Sequence, residues 1–286
     1  MTALRIVVGD YPHVMPLKRG EIADASIGFE FFDLATPRAF TRMIEEQAFD
    51  FCEMPIVTYL QAKAGGAPLS LLPATMLARL QHGQIVYDSG HGTLGPADLG
   101  GRRVGVRSWS RTTGVWVRGI LASDYGVDLD RVRWLTVEAA HVAGATDPTE
   151  RVKGDKPLMR MLLDGELDAV IGEPATDPRV RTLIAEPDIA ARAWCRKHGA
   201  VPINHVVVVR STLTQSSPAA VRSVYRLLLR GKQAAADTTD GVDLRPFGCA
   251  AIRPSLELIA GYAAAQRLVP RRLAVDELYD DVTGGF

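Results

Sequence analysis

The residues best suited to binding a negatively charged molecule lie in one short segment of the chain. The run RVGV, typical of a buried strand, is followed by the polar sequence RSWSRTT and then by a helical pattern. The first N–H groups of a helix attract anions, and arginine guanidinium groups bind carboxylates through paired hydrogen bonds. The segment therefore indicates a carboxylate site with candidate residues Arg107, Ser108, Arg111, Thr112 and Thr113. A capped helix flanked by solvated arginines would give the same pattern, so both interpretations stay open.

Two other residues are suited to acid–base chemistry. Glu53 follows the apolar run of a predicted strand, where partial burial would raise the pKa of its carboxyl group. His205 stands before four valines in another predicted strand, and Asn204 precedes it. Asp10 and Tyr11 directly follow the first strand. The structural alternatives are that Glu53 complements the N-terminus of a helix and that His205 is a core histidine.

Composition excludes several classes of function. The 286 residues are 47% apolar, enough to build sizeable cores, and 33 basic residues balance 33 acidic ones. A neutral chain lacks the broad positive field of a nonspecific nucleic-acid-binding protein, so no nucleic-acid partner is expected. The chain contains neither a glycine-rich nucleotide-binding motif nor a GxSxG turn, and nothing predicts an organic cofactor.

No metal site is predicted from the cysteines and histidines. The three cysteines are far apart and form no CxxC pair, which is typical of free thiols in a reducing compartment: Cys52, Cys195 and Cys249. Four histidines likewise lack the spacing of metal ligands: His13, His91, His141 and His198. Participation of a divalent ion nevertheless stays open.

The order of strand-like and helix-like segments predicts an α/β protein with two lobes. Short apolar runs alternate with longer helical patterns, which favours two mixed, mostly parallel sheets. The predicted helices include Pro178–Ile184 and Pro254–Gln266. The glycine-rich sequence DSGHGTLGPADLGG indicates a boundary, and VPINHVVVVR is long enough to return between lobes. We therefore expect lobe one to comprise residues 1–88 and 204–286 and lobe two residues 89–203. Ligands of such proteins bind in the central cleft, at strand ends and helix N-termini.

The N-terminus and the hydropathy pattern of the sequence predict the cellular compartment of the protein. The chain runs from three residues straight into the strand-like LRIVVGD, without the basic, apolar and small-residue regions of a secretory signal. No apolar stretch approaches the length of a membrane span. We expect a cytoplasmic protein with no membrane partner.

Several longer segments, taken together, resemble the 4,5-dihydroxyphthalate decarboxylase family of the type II periplasmic-binding-protein superfamily. They cover about half of the chain in the expected order: VVGDY, FTRMIEEQAFDFCEMPIVTYL, PADLGGRRVGV, TTGVWVRGILASDYGV, RVRWLTVE, MLLDGELDAVIGE and GAVPINHVVVVR. The resemblance implies decarboxylation of a hydroxylated aromatic acid without an organic cofactor. The positions that match are Asp10, Tyr11, Glu53, Thr112, Thr113, Trp116, Arg118 and His205, with a looser match at Arg79 and His82.

These observations lead to assigned roles. We expect His205 to transfer the proton, supported by Glu53 or Asp10, while Arg107, Arg111 and the helix start hold carboxylates. Arg79 is a second anchor. The remaining substrate-binding candidates are Tyr11, His82, Ser108, Trp116 and Asn204, whereas Arg118 ranks lower as a mid-helix structural residue.

Two other functions fit the same fold. One is a non-catalytic protein that binds a small anion, and the other is a menaquinone-pathway enzyme of the chorismate dehydratase type. The expected partner is in each case a small carboxylate, and self-association is left open. The WVRGIL and INH segments favour the decarboxylase.

Overall fold

The structure is a computed structural model that describes residues 3–140, 142, 147–235 and 241–286. These residues form eleven strands and nine α-helices. The strands are β1 (Leu4–Val7), β2 (Phe29–Phe31), β3 (Phe51–Pro55), β4 (Leu69–Ala78), β5 (Ile85–Asp88), β6 (Arg103–Val106), β7 (Arg133–Thr136), β8 (Glu150–Arg151), β9 (Ala169–Ile171), β10 (Val180–Thr182) and β11 (Ile203–Arg210). The helices are α1 (Met15–Lys18), α2 (Thr36–Glu46), α3 (Ile56–Ala64), α4 (Thr112–Tyr125), α5 (Leu158–Leu163), α6 (Pro187–His198), α7 (Ser211–Ser216), α8 (Pro218–Ala234) and α9 (Cys249–Ala265). None of these described helices is both long and apolar enough to cross a membrane.

The strands form two mixed sheets, one in each lobe. The first has the order β2-β1-β3-β11-β4, and only β11 runs against the other four strands. The second has the order β10-β5-β9-β6-β7-β8, and only β5 runs against its neighbours. The prediction of two mostly parallel sheets is therefore confirmed. Buried runs such as the VVVV of β11 form the central strands, as expected where helices cover both faces of a sheet.

Sheet pairing shifts one strand relative to the predicted lobe boundary. Ile85–Asp88, which the sequence places in lobe one, pairs with β9 and β10 of the second sheet. The chain thus changes sheets between Ala78 and Ile85 and returns at Ile203. This pairing favours a boundary a few residues earlier than the glycine-rich segment suggests.

Two local predictions are wrong for physical reasons. The segment Pro178–Ile184 reads as a helix from its early proline and spaced apolar residues, but Val180–Thr182 is the edge strand β10, paired antiparallel with β5. The last long helix was expected to begin at Pro254, because proline favours the first turn. It begins at Cys249 instead, with Pro254 inside it.

Candidate functional site

A buried carboxylate is the centre of a hydrogen-bond cluster in the first lobe. Glu53 lies on β3, and its Oε2 accepts a hydrogen bond from the Gly9 N–H at 2.7 Å. Its Oε1 accepts from the Tyr11 hydroxyl at 2.6 Å and lies 2.5 Å from Nδ1 of His205. Because an ionised carboxylate can only accept, the Nδ1 nitrogen of His205 must carry the proton in this contact.

Strand pairing explains why residues so distant in sequence meet. In the antiparallel register of β3 and β11, Glu53 lies opposite Val207, and His205 is two residues from Val207 on the same face. Such diagonal neighbours lie within side-chain reach. Gly9, just after β1, has no side chain, so Tyr11 and Glu53 can approach its backbone closely. A Cβ at this position would lie 2.8 Å from the Tyr11 ring and 3.2 Å from Oε2 of Glu53.

The hydrogen bonds keep Glu53 charged. Burial alone would raise the pKa of this carboxyl group, but the bonds from His205, Tyr11 and Gly9 outweigh burial and lower it below the ordinary value. The expectation of a raised pKa is therefore wrong, because three donors converge on the carboxylate. Burial and the charge of Glu53 raise the pKa of Tyr11, so Tyr11 remains a hydrogen-bond donor.

His205 connects this cluster to an open cavity of about 290 Å³. Its side chain is 21% exposed, and with Nδ1 directed at Glu53, Nε2 on the other side of the ring is the nitrogen available to a molecule in the cavity. The lining comprises Thr36, Pro37, Phe40, Pro55, Arg79, Arg107, Arg111, Thr112, Thr113, Glu138, Asn204 and His205.

The start of α4 forms a polar part of the cavity wall. Arg111 precedes the helix in an extended conformation, and Thr112 and Thr113 are its first residues. The Thr112 hydroxyl is buried and has no hydrogen-bond partner among the described residues. The Asn204 amide donates to the Thr113 hydroxyl at 3.3 Å and accepts from the Gln81 amide at 3.0 Å. The helix start thus lines the cavity and includes one buried hydroxyl that lacks a partner among the described residues.

The charged groups around the cavity have an excess of positive charge. Three arginine side chains and one glutamate side chain line it, which leaves two positive charges when the histidine is neutral. Burial lowers the pKa of Arg111 and the nearby Arg107 guanidinium lowers it further, while Glu138 and Glu173 oppose that lowering. Arg111 is half-buried beside a like charge, a position that a bound anion would stabilise.

Comparison with known proteins decides the family. A 4,5-dihydroxyphthalate decarboxylase of Pseudomonas putida is 30% identical over 215 residues, which cover 68% of this chain and 81% of that protein. A 4,5-dihydroxyphthalate decarboxylase of Comamonas testosteroni is 29% identical over 237 residues, covering 75% of this chain and 70% of that protein. The chain belongs to the 4,5-dihydroxyphthalate decarboxylase family. The resemblance read from the sequence is confirmed, and so, at the level of the family, is the expectation of a carbon–carbon lyase rather than a non-catalytic binding protein.

Solved structures confirm the fold of this member of the decarboxylase family. The periplasmic aliphatic sulphonate-binding protein SsuA of Escherichia coli matches with a TM-score of 0.63 at 14% identity, covering 98% of this chain and 92% of that chain. A DSZB mutant in complex with biphenyl-2-sulfinic acid matches with a TM-score of 0.62 at 14% identity, covering 98% of both chains. The predicted two-lobed periplasmic-binding-protein-like fold is therefore correct. The chain matches no protein-family model.

Six predicted site residues of this family member lie outside the cavity lining. Two of them, Glu53 and Tyr11, belong to the cluster that holds His205, and the other four lie elsewhere. Asp10 is directed to Lys18, 2.5 Å away, and its side chain is 73% exposed, so the expected support of His205 comes from Glu53 instead. His82 is buried against Tyr125 and Trp194, and burial lowers its pKa to about 4. Two further predicted residues, Trp116 and Ser108, are also buried away from the cavity.

The two matched residues on α4 beyond its first turn hold the core together. The Trp116 indole donates to the carbonyl of Ile203 at 2.8 Å. Arg118 is fully buried, donates to Gln266 and to the carbonyl of Trp109, and stacks on the Trp109 ring. Their match to the family pattern therefore reflects packing, as the lower ranking of Arg118 anticipates.

The sequence reasoning did not identify Glu138, Gln81 or Phe40 as site residues. Glu138 follows the end of β7, next to the end of β6, and this strand-end position was the available signal. Gln81 precedes β5 in a connecting segment and reaches the cavity only through Asn204. Among the described residues, no group of three or more His, Cys, Asp or Glu side chains could hold a metal ion, and His141 lies outside them.

Proposed function

We propose that the protein decarboxylates a hydroxylated aromatic dicarboxylic acid of the phthalate type, with His205 transferring the proton. The observation that carries this proposal is the His205–Glu53 pair, which opens onto a cavity lined by Arg79, Arg107 and Arg111. Two relatives in the same family are named 4,5-dihydroxyphthalate decarboxylase, which supports this substrate class.

The charge of the cavity suits two carboxylates. A phthalate-type acid carries two negative charges at neutral pH, equal and opposite to the two positive charges that remain on the lining. One carboxylate would bind Arg111 and the start of α4, which line the cavity together. The second carboxylate would bind Arg107 and Arg79, which line the same cavity.

The chemistry requires a proton on the ring. Direct loss of CO2 from an arene would leave an aryl carbanion, so the ring carbon that bears the carboxylate is protonated first. As His205 donates a proton to that carbon, a phenol hydroxyl para to it gives its proton to water, and electron density moves into the ring to form a dienone. The carbon–carbon bond then breaks, its electron pair restores the aromatic ring as a phenolate, and CO2 leaves. The phenolate finally takes up a proton.

His205 fits the proton-transfer role in this sequence. Histidine is the side chain whose charge change falls nearest neutral pH, and His205 lines the cavity while its Nδ1 contacts Glu53, which leaves Nε2 for the substrate. Glu53 holds the ring by its Nδ1–H and stabilises the imidazolium that carries the transferred proton. The proposed reaction uses these residues without an organic cofactor.

The test is a decarboxylation assay of the purified protein. We expect release of CO2 from 4,5-dihydroxyphthalate both with and without chelator. The product is identified by chromatography. His205→Ala should lower kcat at least about a hundredfold while binding of unreactive phthalate changes little. His91→Ala, which removes an exposed histidine outside the cavity, should retain full activity. An intact rate in His205→Ala would exclude the assignment, and binding of 4,5-dihydroxyphthalate without turnover would exclude this acid as the substrate.

A further inference from the structure

Arg107 is already engaged by a carboxylate of the protein itself. Its Nε donates to Oε1 of Glu138 at 2.6 Å, and its Nη2 contacts the same oxygen. The arrangement follows from the sheet, because β6 and β7 pair in parallel with Val106 opposite Thr136. The N–H groups of Val137 and Glu138 then donate to the carbonyl of Arg107, at 3.1 and 2.6 Å.

This ion pair borders two cavities. Arg107 and Glu138 line the cavity that contains His205, and they also line a neighbouring cavity of about 300 Å³ together with Lys156 and Glu173. The two paired side chains are 44% and 40% exposed, so neither is fixed by packing. The neighbouring cavity leaves room for the Glu138 side chain to turn away from Arg107.

We propose that Glu138 is a specificity-determining residue that competes with a substrate carboxylate for Arg107. The inference rests on the proposed function only in taking a carboxylate as the ligand. With Glu138 charged, the lining carries two excess positive charges, and with Glu138 neutral it would carry three. An acid that needs Arg107 must therefore share or displace Glu138, whereas an acid held by Arg111 and the start of α4 need not.

The expected consequence differs between dicarboxylates and monocarboxylates. Glu138→Gln should tighten the binding of phthalate roughly three- to tenfold, because a half-exposed competing charge is removed. Benzoate, which the Arg111 side of the cavity can satisfy alone, should change by less than about twofold. In turnover, KM for a dihydroxylated dicarboxylate should fall while kcat is nearly unchanged, since Glu138 does not contact the proton-transfer pair.

The experiment is a double-mutant cycle read by calorimetry. Phthalate and benzoate are titrated into the wild type, Glu138→Gln, Arg107→Gln and the double variant, with unfolding temperatures measured alongside. If Glu138 acts by occupying Arg107, its substitution should have almost no effect once Arg107 is absent. Glu150→Gln is the matched control, because Glu150 forms an exposed pair with Arg133 at the sheet edge, outside the cavity that contains His205.

Several outcomes would overturn the inference. Unchanged phthalate affinity in Glu138→Gln would do so, as would failure of phthalate to bind the wild type. Equal tightening in the wild-type and Arg107→Gln backgrounds would show a general charge effect instead. The two proposals can fail separately. Decarboxylation by the wild type with no effect of Glu138→Gln refutes only this inference. The predicted binding cycle without any turnover refutes only the decarboxylase.

Discussion

The two walls of the cavity are stabilised in different ways. On the first-lobe wall, Glu53 is buried and each of its carboxylate oxygens accepts a short hydrogen bond, so the His205 ring is held before any ligand arrives. On the second-lobe wall, Arg107 and Glu138 are half-exposed, and the buried Thr112 hydroxyl has no partner among the described residues. A satisfied polar network fixes geometry, whereas half-exposed charges remain free to pair with a ligand. The first wall is therefore suited to chemistry and the second to recognition.

The largest expected effect comes from the first wall. Glu53→Gln should lower kcat about a thousandfold, because the amide no longer fixes the Nδ1–H tautomer or stabilises an imidazolium. Phthalate affinity should change little, since Glu53 does not line the cavity that contains His205. Steady-state kinetics and calorimetry measure the two quantities, and the pH profile of kcat should change shape. A parallel loss of affinity and rate would show that the walls are not separable in this way.

The second wall should respond in the opposite sense. Arg111→Gln is expected to raise KM roughly ten- to a hundredfold with a much smaller change in kcat, because it removes a half-buried charge that holds the substrate carboxylate. Arg131→Gln removes an exposed charge elsewhere in the same lobe and should leave both constants unchanged. A large fall in kcat at saturating substrate in Arg111→Gln would mean that this wall also takes part in the chemical step.

The second wall was the easier one to predict from the sequence. Arg107, Arg111, Thr112 and Thr113 lie within seven positions between a strand and a helix, so local pattern alone brings them together. The contact of Glu53 with His205 spans 152 positions and depends on the pairing of β3 with β11. The predicted two-lobed fold places both segments at the cleft, and the family resemblance matches both residues, but neither predicts their direct contact.

Side-chain direction accounts for the candidates that the structure places elsewhere. Asp10 does follow the first strand, as predicted, but the Asp10 carboxylate is exposed and forms an ion pair with Lys18 of the next helix. Trp116 and His82 match the family pattern, yet both are packed among aromatic rings. The same limit applies to β10, since antiparallel pairing with β5 is a tertiary contact that local sequence does not record. The sequence predicts where a residue lies along a strand or helix more readily than it predicts which residues the side chain contacts.

The smallest effect on activity is expected from substitution of His82. This substitution tests whether His82 is a core residue or takes part in the reaction in the cavity. His82→Phe should leave kcat and KM within about twofold of the wild type, because His82 packs between Tyr125 and Trp194 and does not line the cavity. A phenyl ring retains that packing without a polar nitrogen, and Nδ1 of His82 has no hydrogen-bond partner among the described residues.

The stability of the same variant should depend on pH in a defined way. Burial lowers the pKa of His82 from 6.5 to about 4, so the unfolded chain binds a proton that the folded chain excludes. The contribution of neutral His82 to the free energy of unfolding is therefore fully present above pH 6.5. It is lost as the pH falls toward 4, by up to about 3 kcal/mol. Urea unfolding at pH 7 and pH 4.5 should show a shallower acid loss for His82→Phe than for the wild type. His91→Phe, at an exposed histidine, should retain the wild-type slope, and an unchanged slope in His82→Phe would contradict the burial of a neutral imidazole.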